Sequence, residues 1–380
     1  MEKPRAVQST MSSSLISTID LAPLNVPMRR PFITALGEKS VSQNLLVTVR
    51  LEDGSTGYGE ASSSLAWPSE TPSAMTAALL RAKKEFIGRP ISPIERLITR
   101  AWEISADHPT AAGALECALL DAWTRHRRIP LWRWLAAKSG KPEADRASSV
   151  RTCLTVSAWK SSEAVRFARE AYGRGFRHLK IKVTGRDPEE DLHRVIAVYR
   201  ALPKTDILID GNQGFSVREA VNLCISLRRE RVPIRLFEQP VHRSNLEGLA
   251  EVQRKTGIPV AADESARSVI EAKQLIRKKT VAVVNVKLAK SGLLGALEII
   301  RAAKKGATDL MIGCMAESAL GLSPSVHLAC GTNSFRFVDL DSAFLVRSPV
   351  CSSGFTVKGP VLTVLSDAAG AGSFLNRQPK

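Results

Sequence analysis

The chain contains no unbroken run of about eighteen apolar residues, so no segment is expected to span a membrane. Its first fourteen residues have no apolar stretch of the kind a signal peptide needs, and a flexible tail on a cytoplasmic protein is expected there. Aromatic residues are scarce, at 5% with three tyrosines, and no RNA- or DNA-reading motif occurs. The six cysteines (Cys117, Cys153, Cys224, Cys314, Cys330 and Cys351) never fall at C-x-x-C spacing, so neither a zinc cluster nor a disulfide framework is expected, only reduced, mostly buried thiols. Acids are also in deficit. There are 54 Lys and Arg against 37 Asp and Glu, a net charge of +17. That balance raises nucleic acid as a partner. The cations, however, lie in short clusters near the ends of predicted helices, such as Arg228-Arg229-Glu230-Arg231 and Arg277-Lys278-Lys279. A solvated basic surface is expected, with neither nucleic acid nor membrane as partner.

What is present is length and rhythm. With 380 residues and 44% hydrophobic content, the chain can fill a barrel of about 250 residues and a second domain. From about residue 148 a β-branched run, a polar turn and a helical stretch recur. The runs are 150–156, 178–183, 206–210, 234–238, 259–263, 281–288, 309–315 and 335–341. Eight such units predict a parallel sheet closed into a (β/α)8 TIM-type barrel of the α/β class. A doubly wound open sheet is the alternative, but no G-x-G-x-x-G opens the first unit. The earlier region predicts a hairpin of 45–51 and 57–61 about Glu52-Asp53-Gly54-Ser55, then helices at 72–87, 92–105 and 110–126. The expected division is a tail at 1–14, an α+β capping domain at 15–145, the barrel at 146–345, and a segment at 346–380 returning to the cap.

In such a barrel, catalytic groups sit at the C-terminal ends of strands. The second run places Lys180 and Lys182 on one face, because strand side chains alternate. The next three runs end in Asp210, Glu238 and Asp263, and the sixth in Lys287. Three carboxylates on successive strand ends make an all-oxygen site suited to a hard cation, Mg²⁺ best. Strands two and six oppose each other in an eight-stranded ring, so Lys182 and Lys287 are expected to approach a substrate from opposite faces. A metal-chelated carboxylate eases removal of its α-proton through an enediolate. One lysine would take the proton and the other return it. The base must be neutral, and the metal and Lys180 are expected to lower its pKa.

In this order K-x-K, D-x-N, E-Q-P, D-E-S and N-x-K-x-x-K resemble the muconate-lactonizing branch of the enolase superfamily, whose Lys or His base with Mg²⁺ is a known pairing. Pro31-Phe32, Ala35-Leu36, Gly59-Glu60-Ala61 and the helix around Leu115-Glu116-Cys117 extend the resemblance over nearly the whole chain. Val338-Asp339-Leu340-Asp341 is similar to the D-x-D of dipeptide epimerases. The resemblance implies epimerisation of a dipeptide by 1,1-proton transfer at the C-terminal residue, with one Mg²⁺ per subunit on Asp210, Glu238 and Asp263. It implies Lys182 and Lys287 as acid/base pair and Asp339 and Asp341 around the substrate ammonium. It further implies substrate contacts from Thr155, Lys180, Asn212, Leu340 and the segment Cys314, Met315 and Ala316, and a homo-oligomer.

Gly37 stands where the Ala-Glu epimerases carry an arginine, with Glu38 next to it. Neutral or hydrophobic second residues are therefore expected to be preferred over glutamate. Arg29, Arg30 or Lys39 is the substitute cation if glutamate is taken after all. Another activity of the branch (cycloisomerase, o-succinylbenzoate synthase or N-acylamino acid racemase) and a basic nucleic-acid-binding protein on an inactive barrel are the competing expectations.

Overall fold

The computed structural model describes residues 13–140, 146–347 and 351–375. The expected tail falls outside them except for Ser13 and Ser14. Those two accept hydrogen bonds from the backbone N–H of Ser92 (on Ser13 Oγ, 3.2 Å) and of Ile91 (on the Ser14 carbonyl, 2.9 Å).

Three antiparallel strands, β1 (Ile16–Thr34), β2 (Gly37–Leu51) and β3 (Thr56–Ala61), open the chain in the order β1-β2-β3. The β2–β3 hairpin is the one the turn predicts. β1 has no counterpart in the sequence reading. It carries Pro23 and Pro27 and shifts register between Pro27 and Phe32, which an edge strand tolerates and a central one does not. Helices α1 (Pro72–Phe86), α2 (Ile94–Ile104), α3 (Pro109–His126) and α4 (Leu131–Ser139) follow. The β3 strand lies directly on α3. A Cβ at Gly59 would stand 1.9 Å from the Ala114 carbonyl oxygen, so only glycine permits this approach.

The predicted run 150–156 is two strands. Its first part, β4 (Ser149–Arg151), leaves the barrel to pair with a later strand, because Thr152 and Cys153 break the ladder. Its second part, β5 (Leu154–Val156), begins the barrel. The barrel continues with β6 (His178–Lys182), β7 (Asp206–Asp210), β8 (Ile234–Glu238), β9 (Val260–Ala262), β10 (Val283–Val286), β11 (Asp309–Gly313) and β12 (Phe337–Asp339). All eight are parallel and in sequential order. Between them run α5 (Ser161–Gly173), α6 (Pro188–Ala201), α7 (Val217–Arg229), α8 (Leu246–Thr256), α9 (Val269–Lys278), α10 (Leu288–Gly306), α11 (Ala319–Thr332) and the single turn α12 (Ser342–Leu345). The seam between β12 and β5 is bridged by the Cys153 N–H on the Val338 carbonyl at 2.9 Å. Leu208, Leu236, Ala261, Val283 and Met311 plug the interior, so the barrel has a packed floor rather than a pore.

The last segment forms β13 (Cys351–Ser352), β14 (Phe355–Lys358), β15 (Val361–Val364) and β16 (Phe374–Leu375). β15 pairs with both β14 and β4, on the barrel side. On the cap side, the Gly370 carbonyl accepts from the Leu131 N–H at 2.8 Å, and Asp121 Oδ1 from the Ala371 N–H at 2.7 Å.

Candidate active site

Strand alternation sets Lys180 and Lys182 on the inner face of β6, and both are buried. Lys182 Nζ donates to Asp210 Oδ2 at 2.5 Å and to Asn212 Oδ1 at 2.9 Å. Lys180 Nζ donates to Glu238 Oε2 at 3.2 Å and to Asp339 Oδ2, and stands 3.6 Å from Asp210. Four strands away, Lys287 leaves the end of β10 and donates to Asp263 Oδ2 at 2.7 Å. Lys290, one turn on, donates to Asp263 Oδ1 at 2.8 Å and to the Asn285 carbonyl at 2.7 Å. The N-x-K-x-x-K spacing contains Lys290, but a helical i+3 position pointing back at the strand end was not evident from the spacing alone.

The charges respond to this crowding. Burial would lower Lys287, but Asp263 and Glu238 outweigh it and hold the ammonium well above the usual lysine value. Lys180 is held up in the same way by Asp339, Glu238 and Asp210. Among these carboxylates the attraction of Asp263 and Glu238 on Lys287 exceeds desolvation, whereas a cation held by the same carboxylates would act in the opposite, lowering direction. Burial and the charge of Asp210 push Glu238 up to about 7. Burial and Asp263 push Glu264 up to about 8.

Among the described residues, no three His, Cys, Asp or Glu side chains stand close enough to enclose an ion as they are, since each carboxylate is drawn to a lysine. The donor set nonetheless fits a hard divalent cation. It is all oxygen, the charges of Asp210 and Asp263 both raise Glu238, and Glu264 Oε2 and Asn285 Oδ1 beside it are buried without a hydrogen-bond partner.

Above these groups opens a cleft of about 860 Å³, lined on the barrel side by Thr155, Lys180, Lys182, Asn212, Asp263, Lys287, Cys314, Met315, Ala316, Asp339 and Asp341. Asp210 and Glu238 lie beneath the two β6 lysines and do not line it. Leu340 does not line it either: strand alternation turns its side chain into the core behind β12, where it is fully buried. At the eighth strand end, Asp341 Oδ2 accepts from the Thr155 N–H at 2.6 Å, and Asp339 Oδ1 from Cys153 Sγ at 3.1 Å. Burial and the charge of Asp339 push Asp341 up to about 6.

The cap side of the cleft departs from the sequence reading. Gly37 and Glu38 do not line it; Gly37 carries no side chain, and Glu38 is exposed. Lys39 does, two residues on. Its Nζ donates to the Ser63 carbonyl at 2.8 Å, Ser63 Oγ at 3.3 Å and Ser42 Oγ at 3.5 Å, and burial pushes it down to about 8. Arg30 is engaged instead with Glu170 at 3.1 Å, and Arg29 points to solvent. The rest of the cap wall is mostly apolar, with Met28, Phe32, Leu36, Leu65 and Trp67, and also carries the hydroxyls of Thr34, Ser63 and Ser64. Nothing in the sequence marked the stretch 63–67, which has neither helix nor strand period.

The Gly59-Glu60-Ala61 motif acquires a physical role. Glu60 accepts from Asn44 Nδ2 at 2.6 Å and from the Ser318 N–H at 3.0 Å, while Asn44 Nδ2 also donates to the Ala316 carbonyl at 2.9 Å. The cap thus fixes the loop after β11. Glu317 in that loop, for which the sequence suggested no role, is buried; desolvation and then Glu60 push it up to about 8.

Residues 163–378 match the enolase C-terminal domain-like family, and residues 17–136 match the mandelate racemase/muconate lactonizing enzyme N-terminal domain. The chain is 36% identical to an aromatic dipeptide epimerase from Herpetosiphon aurantiacus, over 94% of this chain and 98% of that protein. It is 33% identical to an L-Ala-D/L-Glu epimerase from Thermotoga maritima, over 92% and 99% of the two. Among solved structures it is similar to a dipeptide epimerase from Enterococcus faecalis V583 complexed with Mg and L-Leu-L-Tyr, with a TM-score of 0.87 and 29% identity, covering 94% of this chain and 99% of that one. The chain belongs to the enolase superfamily, in its mandelate racemase/muconate lactonizing enzyme branch, beside the dipeptide epimerases it is similar to.

Proposed function

We propose that this isomerase epimerises dipeptides at the α-carbon of the C-terminal residue by 1,1-proton transfer. One observation carries the reading: two lysines, the buried Lys182 and the partly buried Lys287, stand at the ends of strands four apart in an eight-stranded ring and line the same cleft. A proton taken from one face of an α-carbon between them can be returned to the other. The α-carbanion formed spreads its charge into the adjacent carboxylate as an enediolate. Lys180 and Asn212 would hold that carboxylate. Asp210, Glu238 and Asp263 would hold Mg²⁺. When bound, the ion supplies positive charge for the substrate carboxylate and for the surrounding acids.

At the opposite wall, Asp339 and Asp341 suit the substrate's α-ammonium, which needs several acceptors. The barrel floor is packed, so the side chain of the epimerised residue extends toward the cap. There it meets a mostly apolar wall and Lys39, whose neighbours are neutral oxygens. An acidic side chain supplies the missing countercharge, and an apolar one packs on Leu65 and Trp67. This replaces the expectation, drawn from Gly37, that glutamate is disfavoured. Basic side chains meet no acid on the cap wall, since Glu38 is exposed and does not line the cleft.

The test is a mass-spectrometric screen of L,L-dipeptides in D₂O with Mg²⁺. Uptake of one deuteron with inversion is expected. Loss of water or rearrangement would assign another reaction of the branch, and no uptake across the library would reject the reading.

A further inference from the structure

The cations that look scattered in the sequence are collected by the fold. α7 ends at Arg229 before β8 begins at Ile234, and α9 ends at Lys278 before β10 begins at Val283; α8 and α10 behave alike. These helix C-termini therefore lie at the N-terminal ends of the strands, on the face opposite the cleft. Residues 226–234, 251–260, 275–283 and 301–309 hold eleven Lys and Arg, three acids and no aromatic residue. Glu230, Glu251 and Asp309 are already matched, by Arg200 at 2.5 Å, Lys255 at 2.6 Å and Arg336 at 2.5 Å. Arg229, Arg231, Arg254, Arg277, Lys279 and Lys304 are exposed. Among the described residues, none of the six pairs with an acid.

Helix-dipole complementarity accounts for a cation in the last turn of each helix. It does not account for Arg231 and Lys279. These take φ of 58° and 51°, left-handed backbone that glycine adopts freely and that a side chain strains. The same chain uses Gly257 after α8. Arg231 and Lys279 thus put solvent-facing cations at left-handed positions, whereas after α10 the corresponding position is held by Ala307 (φ 51°) and carries none.

We infer that this face docks electrostatically on an anionic phospholipid bilayer, with the cleft facing away from the membrane. The cations end neighbouring helices around one barrel, about 10 Å apart, and so form a broad arc rather than a strip or groove. A planar array of headgroup charges matches that arc, and the absence of aromatic side chains leaves nothing to stack bases. The docking is peripheral: among the described residues, no helix is long and apolar enough to cross a membrane.

The experiment is cosedimentation of the full chain with phosphatidylglycerol/phosphatidylcholine vesicles and with phosphatidylcholine alone. Two fourfold variants are compared. One is Arg229→Gln, Arg254→Gln, Lys279→Gln and Lys304→Gln. The other removes equal charge from the cap, at Arg81, Lys83, Lys84 and Arg96, each changed to Gln. Binding to the anionic vesicles only, lost at about 0.5 M salt, is expected, with at least a ~10-fold loss in the first variant and little in the second. Unchanged thermal melting of the first variant, measured alongside, separates lost docking from lost folding. Three results would overturn the inference: no binding to anionic vesicles at low salt, equal loss in both variants, or tighter binding per phosphate to a DNA duplex than to the vesicles.

Discussion

Asp341 takes the backbone N–H of Thr155 at 2.6 Å, joining the last strand of the barrel to the first. The residue proposed to face the substrate ammonium is therefore also a fastening of the barrel seam. Asp341→Asn retains an acceptor for Thr155 and removes the charge. It should cost about 2–5 kcal/mol in binding of the ammonium, at least ~30-fold in kcat/KM, with little change in Tm. N-acetylated dipeptides should be poor substrates for the wild type. Equal activity on acetylated and free dipeptides would point to N-acylamino acid racemisation instead.

Side-chain selectivity should follow Lys39. Lys39→Met is expected to lower kcat/KM for L-Ala-L-Glu by at least ~10-fold and to spare L-Ala-L-Leu, the loss of one charge-assisted contact. The ammonium is present below its value of about 8 and lost above it. The Glu/Leu ratio of kcat/KM should therefore fall as pH rises through about 8 in the wild type, and be flat there in Lys39→Met. Turnover of leucine but not glutamate dipeptides would remove Lys39 from this role and leave epimerisation standing.

Metal dependence has a readout apart from turnover. A chelator should abolish activity and Mg²⁺ restore it. At ~100 times its Kd, Mg²⁺ should also stabilise the fold by about 2.7 kcal/mol, a shift that Asp263→Asn should largely remove. Full activity after exhaustive chelation would sink the mechanism.

Glu116 ties cap to barrel. On α3, it accepts from the backbone N–H of Leu293 at 2.9 Å and Leu294 at 2.7 Å, and from Trp102 Nε1 at 2.6 Å. These N–H groups are free because α10 breaks at Gly292, with φ 61°. Glu116→Ala strands three donors, one buried at Leu293 and two partly buried at Leu294 and Trp102, and should cost about 3 kcal/mol. Burial pushes Glu116 up to about 7. Its folded value thus exceeds its unfolded one of about 4.5, so its stabilising protonation is full below about 4.5 and fades as pH rises through about 7. Chemical denaturation of wild type and Glu116→Gln across that window should show the slope in the wild type alone.

The strand–helix rhythm made the barrel legible, because period-2 runs bounded by turns survive in sequence whatever packs on them. The carboxylates and lysines at strand ends were legible for the same reason: alternation fixes the face once the strand is placed. Four kinds of feature were not. β1 hid behind Pro23 and Pro27, tolerated only at an edge. The division of 150–156 depends on pairing with β15, some 210 residues away. The contacts of Lys39 depend on how residues 63–67 fold over the cleft, and that stretch has no period. The basic face also emerged only when topology brought separated helix ends together.

The central claim is that Lys182 and Lys287 serve opposite faces of one α-carbon. Its most direct test is ¹H NMR of α-proton exchange in D₂O, with each epimer of one dipeptide, in Lys182→Ala and Lys287→Ala. Both variants should lose epimerisation by at least ~10³-fold, the scale of a lost acid/base. Each should still exchange the α-proton of one epimer, and not the same one. Normal epimerisation by either variant, or exchange of the same epimer by both, would contradict the two-base account.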